Sequence, residues 1–428
     1  MKKWLVCLLA VLMLVGLAAC GAQNNDATTA TPDPTATTVP TATAVPTATA
    51  VPTATPEPTA TPRPTATPRP TATPTVTPLP DPEIGLKDVY AEYDMKAGVC
   101  LSDYMIQDAT SVDIIKQHFN SITFENHLKP EAILDHAESQ AAGDIVVKFT
   151  DTTIKLLDWC KENGFPMRGH TLIWHSQTPS WIFFEDFDTT KAKVDRDVML
   201  ARMESYISQV FAKLEEGGWL ESFYAYDVVN EAWLDNGSLR PESMWYQTIG
   251  DDYLWHAFNL ANKYAPDYVD LYYNDFNEQF KTNTIYDFVQ TLKDENGNYL
   301  IDGVGFQAHL YTGDNQDQYF STMDKIAELG LKINLTELDI SMGTWQSIKK
   351  PTAENLLEQG RYYYNLIEGI LQRVEAGTVK MDALTFWGYG DLLSWRGDRS
   401  PLLYNRANKA KPALYGALQI KELAGFEE

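Results

Sequence analysis

The chain has 428 residues, with 34 basic and 58 acidic side chains, a formal charge of −24 and four cysteines. Four of the basic and four of the acidic residues precede residue 83, so the whole net charge belongs to residues 83–428. A body this acidic excludes binding a polyanion such as nucleic acid by charge alone, and so few cysteines exclude a disulfide scaffold.

The chain begins with a positive pair, Lys2 and Lys3, followed by an apolar run from Trp4 to Leu17 and the small residues Ala18-Ala19 before Cys20. The run is too short for a comfortable membrane span and reads as a cleaved targeting signal. Leu17-Ala18-Ala19-Cys20 resembles a bacterial lipobox. That resemblance implies a lipoprotein signal peptide over residues 1–19 and lipidation of Cys20; an ordinary secretory signal with an unrelated cysteine is the alternative. Both imply export, and the first holds the protein at the cell surface through an N-terminal lipid anchor.

Residues 20–82 form a Thr/Pro/Ala-rich segment in which 15 of the 23 prolines fall, with repeats such as Pro52-Thr-Ala-Thr-Pro56. Such a segment has no apolar surface to bury and is expected to be a disordered, extended linker. Its 55 repetitive residues could reach roughly 170 Å at the polyproline rise.

From residue 83 onward, short apolar runs alternate with amphipathic stretches. Candidate strands are Lys96–Leu101, Ser121–Phe124, Met167–Trp174, Phe223–Asn230, Asp270–Asn274, Gly303–Ala308, Lys332–Glu337 and Ala383–Gly388. Ile154, Leu157 and Cys160 recur at helical spacing, and Gly164 is a helix stop before Phe165-Pro166. Asn296-Gly297 reads as a hairpin turn before the sixth strand. Eight strands alternating with helices, each apolar enough to be buried on both faces, predict an α/β fold, the (β/α)8 or TIM barrel, over residues 83–428.

The C-terminal strand ends of such a barrel form one rim. Here they carry Glu125-Asn126-His127-Leu128-Lys129, His170 to Gln177 with Trp174, Asn230-Glu231, Asn274-Asp275, Gln307-Ala-His309, Glu337-Leu-Asp339 and Trp387, with Trp395 close behind. Carboxylates, amides, imidazoles and indoles with no phosphate loop suit a sugar, which has apolar faces and a ring of hydroxyls. Breaking a glycosidic bond takes two carboxyl groups: one protonates the leaving oxygen, and the other attacks the anomeric carbon or activates water. Glu231 and Glu337 are the chosen pair. Each ends an apolar strand, where an ionised side chain is costly without a partner or a task.

These motifs, seven of them in the expected order, resemble glycoside hydrolase family 10, whose best-known members are endo-β-1,4-xylanases. Gly169-His170-Thr-Leu-Ile-Trp174-His-Ser-Gln177 and Asp227-Val-Val-Asn230-Glu231-Ala232 are the most specific. The resemblance spans about residues 85–425 and implies a retaining double displacement on xylan or xylo-oligosaccharides, with Glu231 as general acid/base and Glu337 as nucleophile. It further implies that Asn230 holds the 2-hydroxyl at the cleavage point and that His309, with Asp339, orients Glu337. By the same likeness, Glu125, Asn126 and Lys129 bind the next sugar toward the non-reducing end. His170, Trp174, Gln177 and Gln307 would line the cleft, and Trp387 and Trp395 would wall its centre. Leu128 departs from the methionine common in the family.

Other patterns point elsewhere and are set aside. Gly303-Val-Gly305-Phe-Gln-Ala308 matches a dinucleotide fingerprint, but the strand runs on to His309 and no helix opens there. Asp294-x-Asn296-x-Asn298 begins like a calcium loop, yet Tyr299 occupies the glycine position. No H-E-x-x-H or Cys-x-x-Cys is present, so neither a metal nor a cofactor is expected. Cys100 and Cys160 read as free buried thiols and the protein as a monomer. Two other functions remain open: a retaining β-glucanase or cellulase on the same barrel, and a non-catalytic oligosaccharide-binding lipoprotein. The second does not need both glutamates.

Overall fold

A computed structural model describes residues 79–426; the signal segment, Cys20 and the linker up to residue 78 lie outside them. Eight parallel strands form the centre: β1 (Lys96–Leu101), β2 (Ser121–Phe124), β3 (Met167–Gly169), β4 (Phe223–Asn230), β5 (Asp270–Asp275), β6 (Gly303–Phe306), β7 (Lys332–Ser341) and β8 (Ala383–Phe386). They pair in chain order, and β8 pairs with both β7 and β1, so the sheet closes on itself. The connecting helices are α1 (Ala109–His118), α2 (Asp151–Glu162), α3 (Arg196–Glu216), α4 (Tyr253–Tyr264), α5 (Glu278–Thr291), α6 (Gln316–Ala327), α7 (Ala353–Glu375) and the short α8 (Pro412–Ala417). This is the predicted (β/α)8 barrel.

Local chemistry sets the helix ends. The Thr150 hydroxyl accepts from the Thr153 amide and starts α2, whose Leu156, Leu157 and Cys160 are buried against the sheet. Gly164, at φ +70°, then turns the chain into β3, as the sequence predicted. Cys100 and Cys160 are both buried and free.

The barrel interior is polar as well as apolar. Arg168, Asp227, Asn274, Asn334 and Thr336 are all essentially inaccessible. Gly305 faces this layer: a Cβ there would lie 2.4 Å from Asn274 Oδ1 and 2.9 Å from Arg168 Nη2. At Gly303 a Cβ would lie 2.3 Å from the Tyr272 ring. The two glycines that imitate a nucleotide fingerprint are therefore there for packing. The segment around Asn296-Gly297 is a small hairpin, closed by a bridge between Lys293 and Tyr299 and by amides donating to Asp294.

Three predicted strands end early. Met167–Trp174 breaks after Gly169, because Thr171 Oγ1 and the Leu172 amide both donate to the Asp227 carbonyl, at 2.9 and 3.0 Å; the chain bulges before Ile173–Trp174 rejoins β4. Ala308 turns left-handed at φ +61° and Gly388 at φ +116°, which ends β6 and β8 at Phe306 and Phe386. β7 instead runs four residues beyond Glu337, because His309–Tyr311 pairs alongside Asp339–Ser341.

Candidate active site

The C-terminal strand ends open into a cleft of about 950 Å³. Thirteen of the residues predicted from sequence line it together: Glu125, Asn126, Lys129, His170, Trp174, Gln177, Asn230, Glu231, Gln307, His309, Glu337, Trp387 and Trp395. Asp339 does not reach the cleft and is completely buried beneath it.

Glu231 follows the last residue of β4 with φ +53°. Its amide donates to the Asn274 carbonyl at 2.9 Å, and its own carbonyl accepts from Arg240 Nε at 2.7 Å. These bonds hold a backbone conformation that L-residues adopt at a cost of about 1–2 kcal/mol. Its carboxylate meets only neutral donors: Gln307 Nε2 at 3.0 Å and Asn230 Nδ2 at 3.3 Å from Oε1. The Asn230 oxygen in turn accepts from Asn274 Nδ2 (3.0 Å) and Gln307 Nε2 (3.2 Å). The reversed amide would gain the Trp174 indole N–H and the Asn274 carbonyl, each at 3.3 Å, but would turn its own NH2 onto both of those donors and lose its bond to Glu231, so the first orientation is preferred.

Glu337, inside β7, has different neighbours. Asn274 Nδ2 donates to Oε1 at 2.7 Å, and His309 Nε2 stands 3.3 Å from Oε2. The other imidazole nitrogen, Nδ1, bonds Asp339 Oδ2 at 3.0 Å. Asp339 also accepts from Arg396 Nη1 at 2.6 Å and Trp395 Nε1 at 3.1 Å. Burial alone would lower the His309 pKa, but the Asp339 carboxylate and then Glu337 outweigh it and push it up to about 10. The imidazolium therefore carries two N–H donors between two carboxylates. Burial would raise Glu337; the His309 hydrogen bond, the charges of His170 and His309, and the Asn274 amide hold it below its ordinary value. Asp339 is likewise raised by burial and, on balance, held low by His309 and Arg396.

The opposite wall is a second hydrogen-bonded group. Lys129 Nζ donates to Gln177 Oε1 at 2.8 Å and Asn126 Oδ1 at 3.1 Å, and lies 4.8 Å from the Trp174 ring centre. Burial pulls its ammonium below the ordinary lysine range against the attraction of Glu337 and Glu125. Ser102 Oγ donates to Glu125 Oε2. His170 Nδ1 bonds Asp227 Oδ2 at 2.9 Å. Asp227 is also paired with the buried Arg168, so the imidazole is fixed edge-on to Trp387, with ring centres 5.4 Å apart.

Several contributors were not singled out from sequence: Asn274, Asp227, Ser102 and Arg396, which act through hydrogen bonds, and Phe276, Phe280, Tyr311, Trp345 and Arg399, which line the cleft. Asn274 and Asp227 stood at strand positions already noted. Tyr311 ends the short strand beside β7, and the others sit in loops, helix starts and short helical turns that carry no periodic signal. The arrangement provides two carboxyl groups from different strands, one against a cation and one against amides, in a cleft bounded by indoles.

A family model described as glycosyl hydrolase family 10 matches residues 85–420. The chain is 37% identical over 341 residues to a bifunctional endo-1,4-beta-xylanase of Ruminococcus flavefaciens, covering 77% of this chain and 33% of that protein. Among solved structures, it is similar to the endo-1,4-beta-D-xylanase 10B of Clostridium thermocellum complexed with xylohexaose, with TM-score 0.70, 33% identity, and coverage of 78% of this chain and 68% of that one. It is also similar to an intracellular xylanase of Thermoanaerobacterium saccharolyticum, with TM-score 0.69, 32% identity, and coverage of 79% and 99%. The chain spans about a third of the length of several of the curated relatives it matches, the Ruminococcus protein among them.

Proposed function

We propose that this chain, which belongs to glycosyl hydrolase family 10, is an endo-1,4-β-xylanase that cleaves internal β-1,4 bonds of xylan with retention of configuration. The observation that carries the mechanism is the unequal setting of the two glutamates. Glu337, held ionised by His309 and Asn274, is the nucleophile. Glu231, which meets only amide N–H groups, is free to carry a proton to the leaving oxygen. In the first step Glu337 attacks the anomeric carbon while Glu231 protonates the departing sugar; in the second, Glu231 takes a proton from water, which displaces Glu337.

Asn230, oriented by Asn274 and Gln307, holds the 2-hydroxyl of the reacting sugar. His309 and Asp339 orient Glu337. Lys129, Asn126, Gln177 and Glu125 grip the next sugar toward the non-reducing end, with His170 and Trp174 beside them. Trp387 and Trp395 supply flat apolar walls. The xylan-acting relatives support the substrate. Sugar release from xylan and from carboxymethylcellulose tests it: xylan should be the better substrate by orders of magnitude, and equal or reversed rates would contradict the assignment.

The N-terminal segment supports a second part of the reading. Lys2-Lys3, the apolar run and Leu17-Ala18-Ala19-Cys20 mark an exported lipoprotein whose lipid anchor and proline-rich stalk hold a monomeric barrel off the membrane. One acyl chain binds a membrane only marginally, so the several chains of a lipoprotein N-terminus are needed. Cys20→Ser should release the protein from membranes with its specific activity unchanged. Continued pelleting with membranes, or a large loss of activity, would refute the anchor.

A further inference from the structure

Besides the His309 imidazolium, held between Glu337 and Asp339, three cationic side chains line the cleft among the described residues. Two are committed inside the protein: Lys129 to Asn126 and Gln177, and Arg396 to Asp339. The third, Arg399, is different. Its side chain is 35% exposed, and its one side-chain hydrogen bond, Nη1 to the Tyr311 hydroxyl at 2.7 Å, goes to a neutral acceptor. The carboxylate paired with it, Asp398, lies 3.9 Å away and is 83% exposed.

The guanidinium is nevertheless held in place. Tyr311 belongs to the short strand beside β7, and Arg396 lies 4.7 Å from its ring centre. The loop after Tyr311 is joined to the hairpin that follows β7 through Gly313 N and the Gly343 carbonyl, at 2.8 Å. That hairpin carries Trp345, 72% exposed on the rim of the same cleft. Arg399 has five N–H donors, and Tyr311 takes one.

We propose that Arg399 reads a carboxylate on a side branch of the polysaccharide and so favours chains with an acidic branch over the same chains with a neutral one. The inference rests on the xylan reading above. The main chain of xylan is neutral, and its hydroxyls are already served by amides such as Gln307 and Asn126. A guanidinium fork matches a carboxylate and has no advantage over an amide toward a hydroxyl. The body carries a net charge of −24 and repels an acidic polymer. A cation left without a close internal carboxylate, oriented by a phenol, offsets that repulsion where the branch would lie.

The test compares wild type with Arg399→Gln and Arg399→Lys on three substrates: unbranched xylo-oligosaccharides, glucuronic-acid-branched xylan, and the same branched xylan with its carboxyls reduced to neutral alcohols. Arg399→Gln should lower kcat/KM roughly three- to tenfold on the acidic polymer, as for a partly exposed charged contact, and leave the other two substrates unchanged. Arg399→Lys should recover part of the loss, and added salt should narrow the wild-type advantage. No loss on the acidic polymer, or an equal loss on all three, overturns the proposal. If wild type and variants alike fail to cleave the unbranched oligosaccharides, the xylan reading itself falls, and this proposal with it.

Discussion

The ends of β4 and β7 present the same side chain in two settings. At β4, Glu231 sits on a left-handed residue and meets Gln307 and Asn230, both neutral. At β7, Glu337 lies within a regular strand, takes an amide from Asn274, and faces an imidazolium backed by buried Asp339 and Arg396. A carboxyl group's protonation is decided by the donors around it, and a charged donor in a buried site outweighs a neutral one. Two glutamates separated in this way can divide acid and nucleophile roles between them. Asn274 touches both halves, bonding Glu337 directly and Glu231 through its backbone carbonyl and Asn230.

The comparison breaks hardest at Glu337. Glu337→Ala should lose turnover on every substrate, on the order of 10⁵-fold, since no covalent intermediate can form; steady-state rates on xylan and on an aryl xylobioside check this. Glu231→Ala should lose about 10³–10⁴-fold on xylan, whose leaving group needs a proton. On an aryl xylobioside with an acidic phenol, it should instead show a burst followed by a slow steady state, seen by stopped-flow release of phenol.

His309 sharpens the contrast at the next level. His309→Gln removes the positive charge and leaves burial to dominate Glu337, whose pKa then rises. If Glu337 attacks in its ionised form, as proposed, the acid limb of kcat/KM should move to higher pH, with a loss of about tenfold or more at pH 5. A pH profile showing an unmoved acid limb would mean that His309 serves packing alone. The smallest effect is expected at Gln307→Met, which removes one neutral donor from Glu231. A loss of about tenfold in kcat/KM, with the acid limb unchanged, would mark Gln307 as orienting Glu231 without setting the charge of Glu337.

Much of this site was legible before the structure because a barrel converts strand ends into a single rim: Glu231, Glu337, His309 and the Trp174 region each stood at the end of an apolar run. The starting residues of all eight strands were read correctly for the same reason. What could not be read depends on proximity in space. Asn274 on β5 reaches Glu337 on β7 across the interior, where side chains of alternate strands meet, and nothing in either segment alone shows that contact. The break after Gly169 follows from the pull of the Asp227 carbonyl on Thr171 and Leu172, and the end of β6 from the left-handed Ala308. Arg396, Arg399 and Trp345 lie in loops, whose positions are fixed by tertiary hydrogen bonds and carry no period.

The division of labour between the two glutamates is tested most directly by the stereochemistry of azide rescue. Azide needs no general base, so it should speed breakdown of the intermediate formed by Glu231→Ala from an aryl xylobioside and give the β-glycosyl azide. In Glu337→Ala, azide enters from the face that the missing nucleophile occupied and should give the α-azide. NMR of the two products reads both outcomes. The β-azide from Glu231→Ala together with the α-azide from Glu337→Ala supports the assignment; an α-azide from Glu231→Ala, or a β-azide from Glu337→Ala, would contradict it.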